Sequence, residues 1–240
     1  MLRALLVATV VWLGGAAVAH AAPGAAITGT VTGTVTFDGP APERVKVRRD
    51  TDLYCARTEQ VSEDVIVSHG RVKDALVRIK NGTFPVEKSA PPPAPAVIDQ
   101  QGCSYAPHVI GVVAGQQLSV RNSDGTFHNV HGSIHGQLTW NKPAIPGEPA
   151  LTLDNPGKAG DVIDVVCDVH PWMHAYAVVQ DHARFAVTGD DGAFALGELS
   201  PGSYTLEAWH PVMGMKRATV RVVAGKPSTV TFTYRPADVK

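Results

Sequence analysis

Apolar residues alternate with polar or small ones along most of this chain, in runs too short for helices and broken by turn residues. From Ile27 to Phe37, Val alternates with Thr and Gly until Asp38-Gly39-Pro40, which predicts a strand followed by a turn. Val65-Ile66-Val67 and Ala75 to Ile79 predict two more strands, separated by a turn at Ser68-His69-Gly70. Val109 to Arg121 reads as two strands split at Ala114-Gly115. Val162 to Val166 and Ala175 to Val179 read as neighbouring strands joined by one tight connection. After Gln180 the runs quicken: Phe185 to Thr188, Phe194 to Leu196, Leu199 to Leu206, Thr219 to Val223 and Thr229 to Tyr234. The Asp191-Gly192 and Pro201-Gly202 pairs between them are hairpin chemistry. No internal segment sustains a 3.6-residue apolar period free of Gly and Pro, so the fold class is all-β.

Composition sharpens this picture at three places. The 23 glycines and 18 prolines make long helices hard to place, and the Pro-rich stretch from Pro85 to Pro95 reads as a loop. Arg3, the apolar run Ala4 to Val18 and Ala19-His20-Ala21 make residues 1–21 a signal peptide cleaved after Ala21. The run is short for a membrane span and no charged stop-transfer patch follows, so the mature chain is expected to be periplasmic or secreted, without a membrane span. Mature, it carries 20 basic and 22 acidic residues, a balance that gives no footprint for nucleic acid. Arg44, Lys46, Arg48 and Arg49 alternate with Val45 and Val47 and read as the solvated face of a strand. Neither H-E-x-x-H nor G-x-S-x-G occurs, and no enzyme activity is expected.

The densest chemistry is Cys167-Asp168-Val169-His170-Pro171-Trp172-Met173, which packs a thiolate, an imidazole and a thioether into seven residues. With a second histidine, these are the donors of a type 1 copper site: His₂Cys in a plane, with a weak axial Met. Asn122-Ser123-Asp124-Gly125-Thr126-Phe127-His128-Asn129-Val130 offers that histidine. Both segments resemble the cupredoxins. The C-x2-H-x2-M loop is most similar to that of amicyanins and pseudoazurins, and plastocyanins share the upstream His-Asn-Val. The resemblance implies metal ligands His128, Cys167, His170 and Met173 for one copper ion, and a role for Asn129 in hydrogen-bonding across to the Cys loop. His131, three residues beyond His128, departs from the family pattern. On a strand the two point to opposite faces, and His131 is the reserve ligand. His174 would give a zinc-like C-x2-H-x3-H arrangement, but it leaves Met173 idle and lacks the second cysteine of common structural zinc sites. Three cysteines are an odd number; an oxidising compartment favours joining Cys55 to Cys103, leaving Cys167 as the reduced ligand.

Near the C-terminus, Asp190 or Asp191, Gly192, Phe194, Leu199, Pro201, Gly202 and Tyr204 resemble the signature of carboxypeptidase-regulatory, transthyretin-like β-sandwiches. The expectation is therefore a cupredoxin-like Greek-key β-sandwich at 22–180, its core beginning near Val61, followed by a small transthyretin- or Ig-like sandwich at 181–240. The resemblance implies a monomeric blue copper protein carrying single electrons between periplasmic redox proteins. Two rivals share the residues: a copper carrier or sensor, and a surface carbohydrate-binding or adhesion protein using Trp140, Tyr204 and Trp209 as an aromatic platform.

Overall fold

The computed structural model describes residues 28–240; the signal peptide expected at residues 1–21 lies outside them. Eighteen strands and two 3₁₀ turns make up the regular structure of the described residues. Four strands come first: β1 (Gly29–Phe37), β2 (Val67–Ser68), β3 (Arg71–Val72) and β4 (Leu76–Gly82). Nine follow in the middle of the chain: β5 (Ala96–Gln100), β6 (Tyr105–Ala106), β7 (Val109–Val113), β8 (Leu118–Asn122), β9 (His128–Ile134), β10 (Gln137–Ala144), β11 (Leu151–Leu153), β12 (Val162–Val166) and β13 (His174–Gln180). Five close the chain: β14 (Phe185–Val187), β15 (Ala193–Leu199), β16 (Gly202–His210), β17 (Gly214–Val222) and β18 (Pro227–Tyr234). The fold is all-β, as the alternation predicts. In β1, Val31, Val35 and Phe37 face a core while the intervening Thr residues face outward.

Strand pairing divides the molecule into two sandwiches. The middle strands form a five-stranded sheet in the order β10-β9-β12-β13-β7 and a four-stranded sheet in the order β11-β8-β5-β6. Between them lies a core that includes Ile98, Leu118, Val120, Val130, Ile163, Val165 and Val179. The first four and last five strands form the other two sheets, β14-β4-β16-β17 and β15-β1-β3-β2, with β18 added parallel to β1. Their core includes Val31, Val35, Ile79, Leu206 and Phe232. A small cluster of Leu76, Val109 and Val178, with Tyr176, Phe185 and Trp209 packed against it, joins the two.

This grouping differs from the expected division at residue 180. Strand β1 pairs with the C-terminal strand β18 from Thr30↔Pro227 to Phe37↔Tyr234, and β4 pairs with β16. The N-terminal strands thus share sheets with the C-terminal ones, and the sandwich of β5–β13 is inserted between them. The physical reason is that β1 and β4 each bury an apolar face, and the middle strands already pair among themselves. Strands β15, β16 and β18 supply the missing edges.

Candidate metal centre

Three donor atoms converge at one end of the inserted sandwich: Nδ1 of His128, Sγ of Cys167 and Nδ1 of His170. His128 opens β9 and Cys167 follows β12. These strands are antiparallel neighbours with Val166 opposite His131, and continuing that register brings Asp168 level with Asn129. His170 rides the seven-residue connection from β12 to β13. That connection is closed by its own backbone, with the N–H groups of His170 and Met173 donating to Cys167 and His170 carbonyls at 3.3 and 2.9 Å. All three donor residues are buried, and Met173 is buried in the same core cluster as Cys167.

The triangle of donors has edges of 3.6 Å from Cys167 Sγ to His170 Nδ1, 3.9 Å from Cys167 Sγ to His128 Nδ1, and 2.8 Å between the two Nδ1 atoms. Metal bonds of about 2.0 Å to nitrogen and about 2.3 Å to a thiolate, set in a plane, place nitrogen and sulfur about 3.8 Å apart. The two sulfur edges fit a bound ion, and only a small opening of the imidazole pair is needed. The far nitrogens decide which atoms are free. His128 Nε2 lies 3.0 Å from Asp124 Oδ2, and His170 Nε2 lies 3.2 Å from Asp52 Oδ2. Each carboxylate can only accept, so each Nε2 carries its proton and each Nδ1 presents a lone pair inward. Two lone pairs facing each other at 2.8 Å require a cation or a proton between them.

The surrounding charges and burial shift the three donor groups in different directions. Burial pushes the His128 imidazolium down, but Asp124 and the Cys167 sulfur raise its pKa above the usual histidine value. His170 is lowered by burial, with Asp52 opposing and His128 adding to the effect. Burial raises the Cys167 thiol, yet His128 and the backbone N–H groups of Asn129, Val169 and His170 bring it below its ordinary value. A cysteine sulfur whose thiolate is favoured in this way, beside two imidazoles, is a soft donor set suited to copper.

Asn129 bridges the start of β9 and the Cys loop. Its Oδ1 accepts from Asp168 N–H at 2.6 Å, and its Nδ2 donates to Asp168 and Asn141 at 2.7 and 2.8 Å, stitching β9 to the Cys loop. His131 points away from the three donors and pairs with Asp168 Oδ1 at 2.8 Å, as strand alternation requires. His174 Nε2 hydrogen-bonds Pro171 O at 2.9 Å, outside the donor cluster. Cys55 and Cys103 form a disulfide with a sequence separation of 48, and Cys167 is the free thiol. The aromatic trio does not form a platform. Tyr204 is buried with its hydroxyl on Ser200 O, Trp209 packs on Tyr176 between the sandwiches, and Trp140 lies against Gly132. Sequence reasoning assigned no role to Asp52, Asp124 or Tyr105, which touch the site; Asp52 and Tyr105 do so from outside any motif. The Tyr105 hydroxyl lies 2.9 Å from Asn129 O and 3.1 Å from Val166 O, the residues beside His128 and Cys167. Only the acidic residue four before His128 carried a signal, as part of the segment that resembles the cupredoxins.

No family model matches the chain, and no curated protein matches it. Among solved structures it is similar to cupredoxins over part of its length. A purple cupredoxin from Nitrosopumilus maritimus is 18% identical, covering 35% of this chain and 99% of that one, with a TM-score of 0.29. Amicyanin from Paracoccus versutus is 19% identical over 43% of this chain and 97% of its own, with a TM-score of 0.32. A reduced Cu(I) form of an amicyanin mutant is 24% identical over 42% of this chain and its entire length, with a TM-score of 0.33. Likenesses of this size carry no inference about function, which rests on the side chains described above.

Proposed function

We propose that this chain holds one copper ion, for which His128, Cys167, His170 and Met173 would be the donors, and carries single electrons between periplasmic or extracellular redox proteins. One observation carries the reading: two buried imidazole Nδ1 atoms and a cysteine sulfur face a common point, with the far nitrogen of each imidazole fixed by a carboxylate. Copper bound there would supply a one-electron couple. The chain's own contribution is rigidity. Cys167 sits at a strand end held by Asn129, His128 is held by Asp124, and His170 by Asp52, so neither imidazole needs to move when the charge changes. All three donors are buried and none is left at the surface to pass the ion on, which favours electron transfer over copper delivery. No substrate is transformed in this role.

Adding Cu(II) to the purified protein is expected to give an intense visible band from thiolate-to-copper charge transfer. Cys167→Ser is expected to abolish the band while leaving the far-ultraviolet circular dichroism unchanged. A colourless Cu(II) complex of the wild-type protein would reject the reading.

A further inference from the structure

The carboxylate on His170 comes from outside the strands of the inserted sandwich, from the chain between β1 and β2. Between β1 and β2 the chain makes a long excursion whose two arms run antiparallel, with Val47 N–H donating to Gln60 O at 2.9 Å and Ser62 N–H to Val45 O at 2.8 Å. Asp52 lies at its tip. Its Oδ1 accepts from the N–H groups of Tyr54 and Cys55 at 2.7 and 3.0 Å. Its Oδ2 accepts from Thr126 at 2.8 Å and from His170 Nε2 at 3.2 Å. Three residues on, Cys55 is bonded to Cys103. The N–H groups of Gly102 and Cys103, both in the left-handed region at φ 65° and 56°, converge on the two oxygens of Asp124 at 2.6 and 2.8 Å. Asp124 in turn holds His128. Arg49 bolts the excursion down by donating to Gly102 O at 2.7 Å. One buried disulfide therefore ties together the two carboxylates that hold the two imidazoles.

We propose that Asp52 is a positioning residue for the metal centre, delivered by this disulfide-anchored excursion, and that with Asp124 it biases the centre towards Cu(II). The proposal rests on the copper reading above and deepens it. Asp52 fixes the His170 tautomer, so that Nδ1 stays a lone-pair donor in the metal-free protein. It also adds a second carboxylate charge to the thiolate in a buried site, and negative charge stabilises Cu(II) more than Cu(I). The second sandwich is then the base from which both arms of the excursion start, while its tip packs on the inserted sandwich through Cys55.

The test compares wild type with Asp52→Asn and Asp52→Ala, and with Leu53→Ser, which alters an exposed neighbour. Losing an imidazole's carboxylate partner typically weakens metal binding 10–100-fold. In Asp52→Asn, Cu(II) affinity by chelator competition is expected to fall in that range, and Cu(I) affinity by less. A tenfold difference between the two losses raises the reduction potential by about 59 mV. Leu53→Ser should leave both affinities unchanged. In metal-free wild type, nitrogen NMR should find the His170 proton on Nε2, and in Asp52→Ala a mixture of tautomers. A blue wild-type protein whose potential is unmoved in Asp52→Asn would overturn the proposal, as would a metal-free His170 protonated on Nδ1. A wild type that never turns blue rejects the copper reading instead, and the tautomer measurement still decides the role of Asp52.

Discussion

His210 and Asp74, both buried in or beside the second sandwich, make opposite demands on pH. His210 is 1% exposed and its Nδ1 accepts from Val212 and Met213 N–H groups at 3.3 and 3.4 Å. Burial, with His108 adding to it, lowers its pKa to about 4. The stability it contributes is present above the ordinary histidine value and lost as pH falls from there through about 4. At 1.36 kcal/mol per unit the full effect is on the order of 3 kcal/mol. Asp74 is 5% exposed and has an unpartnered Oδ2. Burial raises its carboxyl to about 6; Lys73 opposes this, while Glu63 and Asp190 add to it. Its contribution has the reverse sign, present at low pH and lost as pH rises through about 6. Urea midpoints should therefore show His210→Gln resisting acid between neutrality and pH 4, and Asp74→Asn gaining about 1–3 kcal/mol at pH 7 but not at pH 3. Curves that stay parallel to wild type would refute both assignments. At the metal centre, Met173→Gln should keep a coloured Cu(II) form but lower its reduction potential, because an amide oxygen is a harder donor than a thioether. An unchanged potential would remove Met173 from the coordination sphere. At this scale the sequence was readable where chemistry is packed into a short motif, as with Cys167, His170 and His128. Asp52 stayed hidden because its link to His170 spans 118 residues and leaves no local spacing to read.

Strands were legible where they alternate cleanly and opaque where they are polar on both faces. The sequence places β12 at its observed bounds and separates β7 from β8 at the observed turn. It offers nothing for β10, whose residues Gln137 to Lys142 are largely half-buried or exposed, or for β5, which follows the Pro-rich loop directly. The β2–β3 turn falls at His69-Gly70 as expected, but both strands are only two residues long and do not continue through the Val65 to Val67 run. The basic cluster at Arg44 to Arg49 is not the single solvated face its alternation predicts. Lys46 pairs with Glu59 and Arg48 with Asp50 at the surface, whereas Arg49 is buried and reaches Gly102. The disulfide that fixes this excursion closes a span of 48 residues. In the chain-entropy view, a loop of that length contributes about 4 kcal/mol. Replacing both Cys55 and Cys103 by Ser should lower the urea-derived stability by up to that amount, and thiol counting on denatured, metal-free wild type should find one free cysteine per chain. Three free thiols would reject the bridge.

The interleaving of the two sandwiches is the feature a linear reading was least able to supply, because pairing partners at opposite ends of a chain share no local pattern. Strand β1 reads equally well as the edge of any sheet, and only its partners β15 and β18, both near the other end of the chain, decide which sheet it joins. That choice has a mechanical consequence. Both arms of the excursion carrying Asp52 spring from the second sandwich, whose sheets are completed by β14–β18. A chain ending at Ala183 would keep every pairing of β5–β13 but strip β1 of β15 and β18, and β4 of β14 and β16. Val31, Val35, Val77 and Ile79, all fully or almost fully buried, would then face water. Hydrogen exchange on the truncated chain should find β1 and β4 unprotected and the strands from Ala96 to Gln180 still protected. The disulfide would keep Cys55 tethered to Cys103 while the arms around it loosened, so protease should cut between residues 30 and 50 without releasing Cys55. Full protection of β1 in the truncated chain would show that the N-terminal strands fold without their C-terminal partners, and that the excursion draws no rigidity from the second sandwich.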